Sequence, residues 1–203
     1  FADLAAWLGV GPDHLAGREP WYADGFPRLP IEAESEAVTA LRDTFCRTLD
    51  AAGLTLRAVI SRVAQPERFN RLIAETDNKA SALWRLASEL LSEIVDTYRH
   101  SAIYATLDKQ GGRTFYVRPL QMLFPMTGLA VVAQTPEVSR YRLALRGRPP
   151  LDVTLREKAD ATSLPVSLAS MYAKYVREVC MHQFNAWWHN RAANVAPTAG
   201  YWT

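Results

Sequence analysis

The stretch that decides the fold prediction covers residues 157–180 and reads "EKADATSLPVSLASMYAKYVREVC". It begins with Asp160 between two alanines, and apolar residues then recur at helical spacing. Pro165 fits the first helical turn, where the backbone N–H groups have no partner within the helix. Because the helix is apolar around most of its circumference, we expect it to be largely buried. One stripe about 80° wide is polar and faces either solvent or a polar site: Ser163, Ser167, Ser170, Lys174 and Arg177.

Length and composition are those of an ordinary globular domain. The chain has 203 residues, 49% of them hydrophobic and 22% charged. Its net charge of +2 neither demands nor excludes a nucleic-acid partner. No apolar run approaches the ~18 residues of a membrane span, so we expect no membrane association. Cys46 and Cys180 fit neither a disulfide framework nor a zinc site, which favours a cytoplasmic protein.

Helical and strand patterns alternate along the chain, which predicts a layered α/β domain. Residues 10–31 are rich in Gly and Pro and predict an irregular segment. Residues 114–124 are ambiguous by periodicity. The predicted helices cover residues 1–9, 33–52, a short stretch after Pro66, 79–98 and 163–190. The predicted strands lie near 54–64, 102–108, 128–135, 139–147 and 151–160.

Two acids follow predicted strands. Asp108 ends an apolar strand before two glycines and either starts a turn or occupies a site at a strand's carboxyl end. Asp160 either stabilises a helix start or takes part in the same site. If the strands are neighbours, the two carboxylates converge and require a cation to offset their repulsion and desolvation. Oxygen ligands of this kind suit Mg²⁺ or Mn²⁺.

The segment "KADATSLPVSLASMYAKYVRE", residues 158–178, resembles the ribonuclease HII family closely. That family has a metal-binding aspartate in a Lys-Ala-Asp or Lys-Gly-Asp context, followed by a proline, a run of small residues and Ala-Lys-x-x-Arg-Asp. Glu178 stands here in place of the usual aspartate. The matching positions are Lys158, Ala159, Asp160, Pro165, Ser167, Ala169, Ser170, Ala173, Lys174 and Arg177.

Other segments follow the order of the family. Residues 58–72 are similar to its strand, Pro-Glu and helix-start segment, and "IYATLD" (103–108) is similar to the strand with its third acidic ligand, which implies that role for Asp108. "GYWT" at 200–203 resembles a stretch whose tyrosine stacks on a nucleic-acid sugar, which implies that role for Tyr201. The resemblance covers residues 32–203, a partial catalytic domain. Residues 1–31 resemble a lineage-specific insertion without an assigned role.

The resemblance implies a ribonuclease H-like mixed sheet flanked by helices, with the first, central strands missing. The family's adjacent Asp-Glu pair, its Gly-Arg-Gly-like loop and its Asp-Ser-Lys motif are not in these residues, and we expect them upstream of Phe1. Trp202 and "DKQGGR" (108–113) also depart from the family pattern. Without the central strands, the strands near 55–63 and 102–107 would have unpaired edges. We therefore expect this chain alone to be marginally stable or to aggregate, and to lack cleavage activity.

The implied activity is metal-dependent hydrolysis of the RNA strand of RNA–DNA hybrids, or of DNA that contains ribonucleotides, by a monomer that uses Mg²⁺ or Mn²⁺. Asp108 and Asp160 would supply half of a cluster of four carboxylates. The residues expected to contact nucleic acid are Lys158, Ser170, Lys174, Arg177 and Tyr201. The cations that either contact phosphates or are merely solvated are Lys109, Arg113 and Arg156.

Two other functions remain open from the sequence. A catalytically inactive relative would bind nucleic acid through the same basic groove. A DNA-cleaving enzyme would share the ribonuclease H-like fold with transposases and junction resolvases, although the Lys-Ala-Asp helix motif disfavours it. An intact acidic pair upstream would favour the endoribonuclease, and its loss would favour the inactive relative.

Overall fold

In the computed structural model, the described residues are 19–22, 29–110, 113–192 and 194–200. They form a mixed α/β structure with a four-stranded mixed sheet flanked by helices. The chain divides into two compact units, one formed by residues 1–63 and 173–203 and the other by residues 64–172. The limits of these units do not coincide with the predicted boundary between residues 31 and 32. That boundary concerns the extent of the family resemblance and stays a prediction.

The second unit contains the sheet. Its strand order is β1-β4-β3-β2, with β1 parallel to β4 and the other neighbours antiparallel. The strands predicted near 102–108, 128–135, 139–147 and 151–160 are confirmed, and the ambiguous segment forms a helix. In chain order the elements are α2 (Pro66–Thr76), α3 (Lys79–Thr97), β1 (Ile103–Asp108), α4 (Val117–Leu123), β2 (Gly128–Gln134), β3 (Val138–Ala144) and β4 (Leu151–Arg156).

One face of the sheet forms the core of this unit. Side chains alternate between the two faces of a strand, and every second residue of β3 and β4 is buried. These side chains pack with residues of α3 and with the region around α4. Each fully buried large apolar side chain stabilises the fold by roughly 1.5–3 kcal/mol. The cluster comprises Trp84, Leu91, Val95, Tyr116, Leu120, Tyr141, Leu143, Leu151, Val153 and Leu155.

The N-terminal end of α3 is capped by a side chain. The side chain of Asn78 accepts a hydrogen bond from the backbone N–H of Ser81 at 3.0 Å. This bond satisfies one of the N–H groups that a helix start leaves without a partner. The predicted helix at 79–98 is therefore confirmed to within one residue.

The first unit contains α1 (Ser35–Ala51), predicted at 33–52, and most of its side chains are exposed. The helix ends at Ala51, and Gly53 after it has a φ of +66°, the left-handed conformation that glycine adopts without strain. The same unit contains an aromatic cluster, in which Trp21 lies edge-on to Phe184 and Trp187 at 5.1 and 6.2 Å. The predicted helix at 1–9 lies outside the described residues.

The strand predicted near 54–64 is wrong. Residues 54–65 have no regular secondary structure, and Leu54 and Leu56 are exposed. Their alternating pattern suits a pleated strand, but a strand requires a hydrogen-bonded neighbour, and no described strand pairs with this segment. The unpaired edge predicted near residues 102–107 is present. β1 lies at one end of the sheet and pairs only with β4 among the strands described.

The long helix α5 (Leu164–His189) matches the predicted range but not the predicted burial. Its buried residues are Val176, Val179 and Cys180, whereas Met171 is 65% exposed. Apolar periodicity indicates which faces favour burial, but contacts with other elements decide whether those faces are buried. In the described part of the chain, no helix has the length and apolar character needed to cross a membrane.

Candidate functional site

The candidate site lies where two parallel strands end. Asp108 is the last residue of β1, and its Cα pairs with that of Arg156, the last residue of β4. Because the strands are parallel, their carboxyl ends meet at one edge of the sheet. Asp160 follows the end of β4 closely in the chain, so both acids belong to this edge.

A tight turn carries Asp160 away from β4. Lys158 adopts a left-handed conformation with φ of 51°, and Ala159 after it is fully buried. The turn is closed by hydrogen bonds from the N–H of Ala161 to the carbonyl of Lys158 and from the N–H of Thr162 to the carbonyl of Ala159, both at 3.1 Å. Asp160 therefore lies within a short 3₁₀ turn anchored by a buried alanine.

A direct hydrogen bond joins this turn to Asp108. The backbone N–H of Ala159 donates to Oδ1 of Asp108 at 3.1 Å. The bond fixes the Asp108 carboxylate against the residue that immediately precedes Asp160. Both aspartates are exposed, so a cation could approach them from solvent.

Lys109 links the same edge to the turn between β2 and β3. Its backbone N–H donates to the carbonyl of Arg156 at 3.0 Å, which continues the β1–β4 pairing by one residue. Its ammonium group donates to the carbonyls of Thr135, at 2.9 Å, and of Pro136. These bonds direct the ammonium group of Lys109 to backbone carbonyls of that turn. Contact between Lys109 and a phosphate stays a prediction.

Two buried tyrosines hold the segment that follows Asp108. The phenolic oxygen of Tyr116 accepts from the N–H of Gln110 at 3.0 Å, and that of Tyr141 accepts from the N–H of Tyr116 at 3.0 Å and from Nε2 of Gln134 at 2.9 Å. Burial raises the pKa of Tyr116, and the charge of Asp108 adds to that rise. The sequence analysis missed these tyrosines, because nothing in their spacing shows that they contact one another.

The other cations of this unit have varied surroundings. Arg156 donates from Nη1 to Oγ1 of Thr162 at 3.3 Å. Arg113 donates to Oγ of Ser81 at 2.8 Å and lies over the ring of Tyr116, 5.8 Å from its centroid. Lys158 is exposed beside the acids. Lys158 precedes Asp160 by two residues, and Arg156 pairs with Asp108 across the strands.

The polar stripe of α5 is divided between the two units. Ser170 belongs to the unit with the acids, whereas Lys174 and Arg177 belong to the other unit. Arg177 donates to Oε1 of Glu178 at 2.9 Å and to the carbonyl of Ala199. Convergence of this stripe with the acids therefore stays a prediction. The predicted stacking residue Tyr201 lies outside the described residues.

Asp108 and Asp160 are the described carboxylates at this edge that would hold a divalent cation. Among the described residues, no group of three or more His, Cys, Asp or Glu side chains could hold a metal ion. Asp108 and Asp160 offer two carboxylates, and one oxygen of Asp108 is already bonded to the Ala159 amide. Mg²⁺ commonly binds through one or two carboxylates together with waters and substrate phosphates. Such a cation is consistent with this pair of acids.

No family model matches the chain, and the searches of curated proteins and of solved structures found no match either.

Proposed function

We propose that the protein containing this chain is a ribonuclease HII-like endonuclease with a ribonuclease H-like fold, which cuts the RNA strand of RNA–DNA hybrids or DNA that contains ribonucleotides. The hydrogen bond between Asp108 and the Ala159 amide carries the proposal, because it brings two distant acids to one edge of the sheet. The sequence resemblance supplies the substrate class.

In the proposed mechanism, Asp108 and Asp160 hold Mg²⁺ or Mn²⁺ through oxygen ligands. In the implied mechanism two such cations would be bound, of which one would activate a water and the other would stabilise the leaving 3′ oxygen. The Ala159 N–H keeps the Asp108 carboxylate in one orientation. We assign contacts with the hybrid to side chains on the turn, on α5 and near residue 200. These residues are Lys158, Ser170, Lys174, Arg177 and Tyr201.

We further propose that the enzyme is a cytoplasmic monomer. Cys46 and Cys180 are both free thiols, as expected for a protein of a reducing compartment.

The test is cleavage of a labelled RNA–DNA hybrid by the protein expressed from its complete coding sequence, with Mg²⁺ or Mn²⁺ and with EDTA. Asp108→Asn and Asp160→Asn should each reduce cleavage by at least about 100-fold, since each removes a charged metal ligand. Asp96→Asn is the matched control, because Asp96 pairs with Arg148, in the connection that precedes β4, and should leave cleavage unchanged. Undiminished cleavage by the Asp108 and Asp160 variants would refute the proposal.

A second candidate is a catalytically inactive relative that binds nucleic acid. The finding that favours it is that the described residues hold no third acidic ligand near the first two. This candidate predicts hybrid binding with no cleavage in either metal, and binding that is insensitive to Asp108→Asn. Metal-dependent cleavage by the complete protein would exclude it.

A further inference from the structure

The face of the sheet opposite the core carries polar side chains in rows that run across the strands. Across β1, β4 and β3, one row consists of Tyr104, Asp152 and Arg142, and the next of Thr106, Thr154 and Arg140. The last row contains Asp108 and Arg156, at the candidate site. The three rows span about 13 Å along β1, since strand residues are ~3.3 Å apart.

The charged side chains of this face are three arginines and two aspartates. Arg142 donates from Nε and Nη2 to both oxygens of Asp152, at 2.7 and 2.9 Å, so these two charges compensate each other. The side chain of Arg140 is exposed, and no hydrogen bond or ion pair joins it to another described side chain. Arg156 contacts only a neutral hydroxyl, that of Thr162, among the side chains described. Two guanidinium groups are thus left to attract anions beside the candidate site.

Tyr104 stands at the far end of this face. Its side chain is 77% exposed, which is unusual for a large aromatic residue in a sheet whose opposite face forms the core. Between it and the candidate site, the face carries the small residues Thr106 and Thr154. The surface therefore has an aromatic ring at one end, two arginines without a described acidic partner along it and the acids at the other end.

We propose that this surface binds a single-stranded nucleic-acid extension that flanks the hybrid, with phosphates on Arg156 and Arg140 and a base stacked on Tyr104. The proposal deepens the proposed function, on which it rests for the identity of the ligand. Exposed aromatic rings combined with a basic track are the features that bind single strands without sequence preference.

The experiment compares binding of a blunt RNA–DNA hybrid with binding of the same hybrid carrying a single-stranded extension of about ten nucleotides at either end. Fluorescence anisotropy is measured with the complete protein in EDTA, so that cleavage cannot occur. The extended hybrid should bind about tenfold more tightly, because base stacking and phosphate contacts add to the affinity. This gain should decrease as the salt concentration rises.

Tyr104→Thr and Arg140→Gln should each remove most of the gain while leaving affinity for the blunt hybrid unchanged. Both positions are exposed, so the variants should fold, and far-ultraviolet circular dichroism verifies that they do. Arg118→Gln is the matched control, because Arg118 is an exposed arginine on α4, outside the three strands of this face. It should keep the full gain.

The outcomes separate this proposal from the nuclease proposal. If the wild-type protein binds both hybrids equally, or if the gain survives in Tyr104→Thr and Arg140→Gln, the binding surface is refuted even if the protein cleaves hybrids. Loss of the gain in Arg118→Gln would also refute it, because the effect would then be one of overall charge. A gain that depends on Tyr104 and Arg140 in a protein without cleavage activity would support the surface and refute the nuclease.

Discussion

Two stretches of this chain have similar alternating sequences and different structures. Residues 54–64, "LTLRAVISRVA", and residues 151–156, "LDVTLR", both place apolar residues at every second position over several residues. The second stretch forms β4, whose Leu151, Val153 and Leu155 are almost wholly buried. The first has no regular secondary structure, and Leu54 and Leu56 are exposed.

The difference lies in the neighbours of each stretch. β4 is hydrogen-bonded on both sides, to β1 in parallel and to β3 in antiparallel register. Its apolar side chains pack with residues of α3 and with the region around α4. Alternation therefore marks a segment that suits a strand, while pairing and a surface to pack against decide whether the strand forms.

The largest expected effect tests this comparison directly. Leu155→Ala should lower the free energy of unfolding by about 2–5 kcal/mol, because it leaves a cavity beneath a doubly paired strand. Leu56→Ala, the same change in the other stretch, should alter it by less than about 0.5 kcal/mol. Urea denaturation followed by circular dichroism measures both values. Equal losses would show that residues 54–64 are packed after all.

Tyr141→Phe should have the next largest effect, and it tests how β3 supports the site. The change removes the hydroxyl that accepts from the N–H of Tyr116 and from Gln134, and it leaves a buried donor without a partner. The expected cost is about 1–3 kcal/mol. Tyr104→Phe is the control, since that hydroxyl belongs to an exposed ring. A Tyr141→Phe protein as stable as the wild type would contradict the role of this network.

Gly53→Ala tests the start of the irregular stretch. Gly53 follows α1 with φ of +66°, where a residue with Cβ is strained although no atom lies within 4 Å of the new Cβ. We expect a loss of about 1 kcal/mol in the same denaturation assay. Gly128→Ala is the control for glycine replacement in a strand, since its Cβ would be 3.6 Å from that of Ala144, an ordinary contact. A neutral Gly53→Ala would indicate that α1 continues into the stretch.

The smallest expected effect concerns the surface of β4. The hydrogen bonds from Arg142 lower the pKa of Asp152. A lowered pKa in the folded state means that the pair stabilises the protein above the ordinary aspartate pKa of ~3.9 and that this stabilisation is lost as the pH falls through the folded value. The difference in unfolding free energy between the wild type and Asp152→Asn should be small and constant at neutral pH.

Below about pH 4, that difference should shrink, which denaturation measured across a pH series would show. A difference that stays constant down to pH 2 would contradict the assigned role of the Arg142–Asp152 pair. The effect is small because Arg142 is largely exposed and solvent screens the pair.

The candidate site was predictable in part. Apolar runs that each end in an acid indicated that Asp108 and Asp160 follow strands, and parallel pairing of those strands brings them to one edge. The sequence did not indicate the bond from the Ala159 amide or the tyrosine network, because those contacts join residues far apart in the chain. It also did not indicate that Arg177 donates to the carbonyl of Ala199.

The sequence by itself determined the helix α3, the four strands and the range of α5, because periodicity and turn chemistry are local properties. The tertiary structure alone decided which alternating segment became a strand, how much of α5 is buried and which groups meet Asp108. These outcomes depend on partners that lie far away in the chain, and the local sequence does not show which residues those partners are.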